Sequence, residues 1–100
     1  MVRHIVMWNY KEGFSTEENA ANAQKLKSEL ENLVDLIDEI KSLTVTINPL
    51  PTGNRDILLD SLFESEETLQ AYILHPEHVR VGGFVRSVTQ DRASFDYYVE

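Results

Sequence analysis

Hydrophobic side chains occupy both faces of the segment from Val2 to Tyr10, where β-branched and aromatic residues predict a strand. Alternate residues of a strand point to opposite faces, so these positions divide into two sets. One face carries His4, Val6, Trp8 and Tyr10, and the other carries Ile5 and Met7. We therefore expect both faces of this strand to be buried. The run from Asp56 to Phe63 has the same property and predicts another strand of this kind.

A helical pattern follows the first strand. Ser15 and Glu18 have the spacing of a capping box, and acidic residues in the first turn suit the positive end of a helix dipole. The helix is predicted to begin near Thr16 and to end in the region 35–39. Its apolar stripe, with helical spacing, consists of Ala23, Leu26, Leu30, Leu33 and Ile37.

A second helix is predicted after Ser65, which can cap it. It is expected to end at His75, because a proline disfavours helical backbone in the residue before it. Pro76 suits the first position of a short further helix. We expect Gly82 and Gly83 to loosen the backbone after that.

The two remaining strands are apolar mainly on one side. Leu43, Val45 and Ile47 alternate with polar residues, and the turn formers of residues 48–54 connect them to the doubly apolar run. The last strand is predicted over residues 92–99. The apolar residues on one of its faces are Ala93, Phe95, Tyr97 and Val99.

The order strand, helix, strand, strand, helix, strand predicts a ferredoxin-like α+β fold, an antiparallel sheet with both helices on one face. The doubly apolar first and third strands are expected at its centre. The helices leave the other face uncovered, with Ile5, Met7, Leu58 and Leu62 on it. We therefore expect a homodimer through this open sheet face, which would form a dimeric α+β barrel. A monomer with an exposed apolar face is the alternative.

Composition narrows the function classes. The chain has 100 residues, which predicts one domain over residues 1–100, and its formal net charge of -8 opposes binding to nucleic acid. It contains no cysteine, so disulfides, thiolate metal sites and thiol nucleophiles are excluded. The sequence shows no signal peptide and no apolar run long enough for a membrane span. We expect a cytoplasmic protein with no nucleic-acid or membrane partner.

The segment from Tyr72 to His78 places a tyrosine and two of the three histidines at the end of the predicted second helix. If the His4 face of the first strand turns toward the helices, a mostly apolar pocket forms there. A neutral His78 could accept a proton while the Tyr72 hydroxyl donates to a developing oxyanion, so together they could enolise a carbonyl compound. The expected partner is a small apolar or carbonyl-containing ligand. The other expected pocket residues are His4, Val6, Trp8, Leu59, Ser61 and Phe84.

The same residues also suit a structural role, because tyrosine and histidine are commonly half-buried without any catalytic task. His75 and Pro76 would then stop a helix, His78 would cap backbone carbonyls, and Tyr72 would belong to the core. Residue types leave both interpretations open, and geometry decides between them.

Metal and cofactor sites have little support. His75 and His78 are three residues apart, but Pro76 interrupts the helix between them and no cluster completes a ligand shell. The glycine patterns that bind phosphates or dinucleotides are also missing. We predict no metal and no cofactor.

Four segments together resemble the stress-responsive A/B barrel (Dabb) family: Arg3-His4-Ile5-Val6, Phe63-Glu64-Ser65, His75-Pro76-Glu77-His78 and Phe95-Asp96-Tyr97. The resemblance implies a ferredoxin-like fold that pairs into a dimeric barrel. The family includes uncharacterised stress-induced proteins and a plant polyketide cyclase that performs an aldol-type ring closure. By that likeness His78 would be the general base, Tyr72 would orient the substrate carbonyl, and His4 would line the pocket.

Three functional hypotheses remain. The first is a homodimeric protein of this family with a small-molecule pocket and an activity that the residues do not name. The second is a cofactor-independent cyclase or lyase that uses His78 and Tyr72, with a cofactor-free monooxygenase as a more distant option. The third is a non-enzymatic, stress-related structural protein, for which we expect a pocket that is packed shut.

Overall fold

The computed structural model describes residues 1–99. Four strands and four helices follow one another in these residues. In chain order they are β1 (Val2–Tyr10), α1 (Thr16–Glu31), α2 (Leu33–Leu36), β2 (Ile40–Thr46), β3 (Ile57–Phe63), α3 (Glu66–Leu74), α4 (Pro76–Val88) and β4 (Thr89–Tyr98). The predicted ferredoxin-like α+β fold is confirmed, with α3 and α4 together forming the second helical connection.

The sheet is antiparallel and has the strand order β2-β3-β1-β4. The doubly apolar strands β1 and β3 lie at its centre, as their patterns predict. His4 pairs with Ser61 of β3 on one side and with Asp96 of β4 on the other. Directly opposite residues of antiparallel strands share a face, so these three side chains lie on the side of the sheet that the helices cover.

The core fills the space between this covered face and the helices. The stripe predicted for the first helical segment is buried along its whole length, from Ala23 to Ile37. The N-termini of the helices are fixed by local hydrogen bonds: Ser15 and Glu18 form the predicted capping box, and Ser65 caps α3. Helix positions and the buried face are therefore both set by short-range sequence patterns.

The helix after Pro76 is longer than the short helix that the sequence predicts. The expectation that Gly82 and Gly83 loosen the backbone there is wrong. Helix α4 runs through both glycines for 13 residues. Val81, Val85 and Val88 are buried against the core, and this packing outweighs the low helix propensity of glycine. Strand β4 follows directly and begins at Thr89, earlier than the predicted residue 92, because Thr89 and Gln90 already pair with residues of β1.

A smaller difference occurs in the first helical segment. Helix α1 ends at Glu31, and Asn32 separates it from the short helix α2. The helical segment as a whole ends at Leu36, within the predicted region 35–39. Leu33 and Ile37 remain fully buried across the break, so the apolar stripe continues although the helix does not.

Strand β4 contains a bulge opposite Trp8. Met7 pairs with Ala93 and Asn9 pairs with Gln90, so the two residues Asp91 and Arg92 lie opposite the single residue Trp8. Asp91 has a φ of 55°, in the left-handed region that an aspartate tolerates better than most side chains. Asn9 donates a hydrogen bond to the Asp91 carboxylate, and Arg55 donates one to its carbonyl oxygen.

The face of the sheet away from the helices is open and largely apolar. Ile5 and Met7 are only half-buried on it, and Phe95 is 65% exposed. An ion pair between Arg3 and Asp60 lies on the same face, with 2.7 Å between Nη1 and Oδ1. No helix within residues 1–99 has the length and apolar character needed to cross a membrane.

The bulge yields a stability prediction. Replacing Asp91 with Val should lower the free energy of unfolding by about 1–2 kcal/mol relative to Asp91→Asn, because a β-branched residue is strained at positive φ. Urea denaturation at matched protein concentration measures the difference, and Ser94→Val on the same strand controls for the effect of an added valine. Equal stability of Asp91→Val and Asp91→Asn would contradict the strain.

Candidate functional site

A cavity of about 260 Å³ lies between the covered face of the sheet and the helices. Six of the eight residues expected in the pocket line it: His4, Val6, Trp8, Leu59, Tyr72 and His78. The remaining lining residues are Leu30, Gly82, Val85, Arg86 and Arg92. The wall is thus mainly apolar, with histidine, tyrosine and arginine groups at a few points.

Ser61 and Phe84, the other two expected pocket residues, do not line the cavity. Ser61 lies on the correct face of β3, but it is fully buried and its hydroxyl donates to the backbone carbonyl of His4 at 3.0 Å. Phe84 is half-buried at the edge of the core, where the ammonium group of Lys25 lies 4.4 Å from its ring centre. Both side chains are engaged elsewhere in the fold.

His78 is held by a hydrogen bond that determines which of its nitrogens is free. Its Nδ1 lies 3.0 Å from the carbonyl oxygen of Ile73, in the last turn of α3. A carbonyl oxygen only accepts, so Nδ1 carries the hydrogen and Nε2 keeps its lone pair in the neutral ring. Pro76 ends the helical hydrogen-bonding pattern here, which leaves the Ile73 carbonyl available as the acceptor.

The surroundings of His78 favour its neutral form. Burial lowers the pKa of the imidazole below its ordinary value of 6.5, and the hydrogen bond to Ile73 opposes this only in part. The positive charges of Arg86 and Arg92 lower this pKa further. At neutral pH the ring is therefore a proton acceptor at Nε2.

Tyr72 is the most enclosed polar residue of the cavity wall, with 1% of its surface exposed. Its ring packs against His78, with 4.4 Å between ring centres, and against Phe63 at 4.9 Å. Its hydroxyl forms no hydrogen bond to any other residue among 1–99. Burial raises the pKa of this hydroxyl well above its ordinary value, so it stays protonated and can act as a donor.

His4 forms a pair with Asp96, a residue that the sequence analysis did not include in the site. The Nδ1 atom of His4 lies 2.5 Å from Oδ1 of Asp96, and the two residues are 92 positions apart. A carboxylate accepts, so this contact holds the hydrogen on Nδ1 and orients the His4 ring toward Tyr72, 6.2 Å away between ring centres. The Phe95-Asp96-Tyr97 segment is the sequence signal for this residue.

The sequence did not predict that residues of α4 beyond His78 line the cavity, although these residues are regularly spaced along the helix. Gly82, Val85 and Arg86 follow His78 by four, seven and eight residues, which places them on one helical face. The sequence predicts this face only if the helix is assumed to continue through Gly82 and Gly83. Arg92 had no local signal, because its orientation depends on the bulge in β4.

His75 ends α3, as the alternative interpretation expected, and it also begins α4. Its Nδ1 accepts a hydrogen bond from the backbone N–H of Glu77 at 3.1 Å and so caps α4. His78 likewise caps the Ile73 carbonyl through Nδ1, while its Nε2 stays free. In the described part of the chain, no group of three or more His, Cys, Asp or Glu side chains could hold a metal ion.

The chain is similar to several known proteins. Residues 2–99 match the family model described as Stress responsive A/B Barrel Domain. The chain is 32% identical to olivetolic acid cyclase of Cannabis sativa, over 96% of this chain and 94% of the cyclase. It is 35% identical to a stress-response A/B barrel domain-containing protein of Arabidopsis thaliana, over 78% of this chain and 71% of that protein. A dimeric ferredoxin-like protein of unknown function from Bacteroides fragilis has a TM-score of 0.90 and 30% identity, over 98% of this chain and 95% of its own.

The neutral state of His78 yields a pH prediction. The folded protein favours the unprotonated ring, so unfolding takes up a proton when the pH is below 6.5. Stability from this group is therefore complete above that value and decreases as the pH falls from 6.5 through the lower pKa of the folded state. NMR titration of the ring protons should give a pKa below 6.5, and His78→Gln should remove this part of the pH dependence. A pKa at or above the ordinary value would contradict the environment described.

Proposed function

This chain belongs to the stress responsive A/B barrel (Dabb) family, and from that premise we propose that its homodimer binds a small carbonyl compound and moves a proton on it. The cavity holds the ligand between the sheet and the helices. His78 is the general base and Tyr72 is the hydrogen-bond donor. No cofactor takes part in the proposed chemistry, which is of the kind that a cyclase or lyase requires.

One observation carries the proposal. The hydrogen bond from His78 to Ile73 leaves Nε2 as the free base, and Tyr72, whose hydroxyl stays protonated, lines the same cavity as His78. A base and a donor beside one ligand are what removal of a proton next to a carbonyl needs. The histidine is neutral and the tyrosine is protonated at the same pH, so both are in the required state together.

The proposed step is an enolisation. Nε2 of His78 takes a proton from the carbon next to the ligand carbonyl, and the electron pair of that C–H bond becomes the carbon–carbon π bond of an enolate. The carbonyl π electrons move to oxygen, where the Tyr72 hydroxyl donates a hydrogen bond. The resulting carbon nucleophile can attack another carbonyl group of the same ligand and close a ring. Olivetolic acid cyclase, at 32% identity, supports this class of reaction.

The cavity also favours this function over a structural role. A purely structural protein was expected to have this pocket packed shut, whereas the space between sheet and helices is open. Here a volume of about 260 Å³ remains beside the buried Tyr72 and the half-buried His78. It is close to the lower end of the range for small-molecule sites, which points to a compact ligand.

The homodimer rests on the open sheet face and on the relatives. The helices cover one side of β1 and β3, and Ile5, Met7 and Phe95 on the other side lack a cover within the described chain. The Bacteroides fragilis protein, at 30% identity, is described as dimeric. A second copy of the same face would bury these side chains in an isologous interface.

The enolisation is tested by proton exchange in deuterated water. With phenylacetone as the probe, the wild-type protein should accelerate deuterium uptake at the carbons next to the carbonyl, followed by NMR. His78→Gln should reduce the protein-dependent rate by about 100-fold, the scale of general base catalysis, and Tyr72→Phe should reduce it as well. Both variants should keep the quaternary structure of the wild type.

His75→Asn is the matched control, because it changes a histidine three residues away while an asparagine can still cap α4. It should exchange the probe at the wild-type rate. If His78→Gln retained full exchange, or if His75→Asn lost as much as His78→Gln, the assignment of the base would be wrong.

The interface is tested by charge insertion. The wild-type protein should sediment as a dimer at micromolar concentration, whereas Phe95→Asp should shift it toward single chains, because a carboxylate would be buried without a partner. Leu50→Asp introduces the same charge at a residue that is 76% exposed outside the sheet, and it should remain dimeric. A wild-type protein that sediments as a single chain would overturn the proposed dimer.

A further inference from the structure

Two arginines at the solvent end of the cavity have no part in the enolisation described above. Arg86 of α4 and Arg92 of β4 both line the cavity, and both are exposed at its rim. Their positive charges act on the ring of His78, and that of Arg92 also acts on Tyr72. The two guanidinium groups therefore face the same space as the proposed base and donor.

These arginines differ from the others in the chain by having no partner among the described residues. Arg3 is paired with Asp60, Arg80 is paired with Glu77 and Glu29, and Arg55 donates to backbone and side-chain oxygens. Neither Arg86 nor Arg92 forms an ion pair or a side-chain hydrogen bond within residues 1–99. In a chain with seventeen acidic residues and nine basic ones, two unpaired guanidinium groups at one cavity are unexpected.

The backbone of α4 makes room for Arg86. A Cβ atom at Gly82 would lie 3.1 Å from Nη1 of Arg86 and 3.9 Å from its Cζ. The guanidinium group therefore packs over the position where any other residue would have a side chain. Gly82 also lines the cavity, so its missing side chain lets Arg86 lie back along the helix at the rim.

The bulge in β4 directs Arg92 toward the cavity. Without an extra residue, the pairing of Asn9 with Gln90 would place Asp91 opposite Trp8 and would turn Arg92 to the open face of the sheet. Because Asp91 and Arg92 share the position opposite Trp8, the alternation shifts by one residue and Arg92 lines the cavity beside Trp8. The change of direction requires a positive φ at Asp91, which is a local strain in β4.

We propose that the ligand of this cavity is a small organic acid, with its carboxylate bound between Arg86 and Arg92 and its apolar body against Trp8. This inference rests on the proposed function and adds the charge class of its ligand. A guanidinium group presents paired N–H donors that match the oxygens of a carboxylate. The carboxylate would supply the acceptors that both arginines lack, and the carbonyl would then lie deeper, toward His78 and Tyr72.

The test uses Trp8, the single tryptophan of the chain, as a fluorescent reporter inside the cavity. Phenylacetate and phenylacetamide have nearly the same shape, but only the first is an anion at neutral pH. The wild-type protein should bind phenylacetate about tenfold more tightly or better, the scale of hydrogen bonds to a charged group. Added salt should reduce this preference, because it screens charges near the surface.

Arg86→Gln and Arg92→Gln should each weaken phenylacetate binding by about tenfold and leave phenylacetamide binding unchanged. Arg80→Gln is the matched control, since it removes the same charge from the same helix at a residue outside the cavity. It should retain the preference for the acid. If Arg80→Gln removed the preference as completely as Arg86→Gln, only the net charge would matter, and the subsite would be refuted.

The results separate this inference from the proposed function. Equal affinity for acid and amide would overturn the carboxylate subsite and leave the small-molecule cavity intact. Failure of both probes to bind, together with no phenylacetone exchange, would overturn both. A tenfold preference for the acid that depends on Arg86 and Arg92 would support the subsite even if His78→Gln left proton exchange unchanged.

Discussion

The fold of this protein depends on two central strands that are apolar on both faces. The helices of the chain cover only one face of the sheet that these strands form. On the covered side, β1 contributes His4, Val6 and Trp8 to the cavity. On the other side, its Ile5 and Met7 belong to the open face that we propose as the dimer interface. The alternation of a single strand thus places the proposed ligand site and the proposed dimer interface on opposite faces, and a register shift of one residue would exchange the two faces.

The chemistry of the site depends on a second constraint, the break between α3 and α4. Pro76 ends one helix and begins the next, with His75 capping the new N-terminus. The same break leaves the Ile73 carbonyl as an acceptor for Nδ1 of His78. The structural interpretation and the proposed catalytic one are therefore compatible, because only one of the two ring nitrogens of His78 is used by the backbone. One nitrogen stabilises the backbone, and the other is free to act on a ligand.

Local patterns predicted most of the architecture. The capping box at Ser15, the stripe from Ala23 to Ile37 and the two faces of β1 all depend on residues close together in sequence. The predictions that were wrong concern cases where packing outweighed a local preference. Helix α4 continues through Gly82 and Gly83 because three valines of the same helix are buried, and local propensity contains no information about that burial.

The sequence by itself determined the fold class, the central strands, and His78, Tyr72 and His4 as candidate residues, because alternation and capping are short-range properties of the chain. Only the tertiary structure decided which side chains meet at the cavity. It brought His4 into hydrogen-bonding contact with Asp96, 92 positions away, and it placed the Ser61 hydroxyl where it donates to the His4 carbonyl. The bulge at Asp91 turned Arg92 toward the cavity. These outcomes depend on strand register and on competition for hydrogen-bond partners, which exist only once distant segments have packed together.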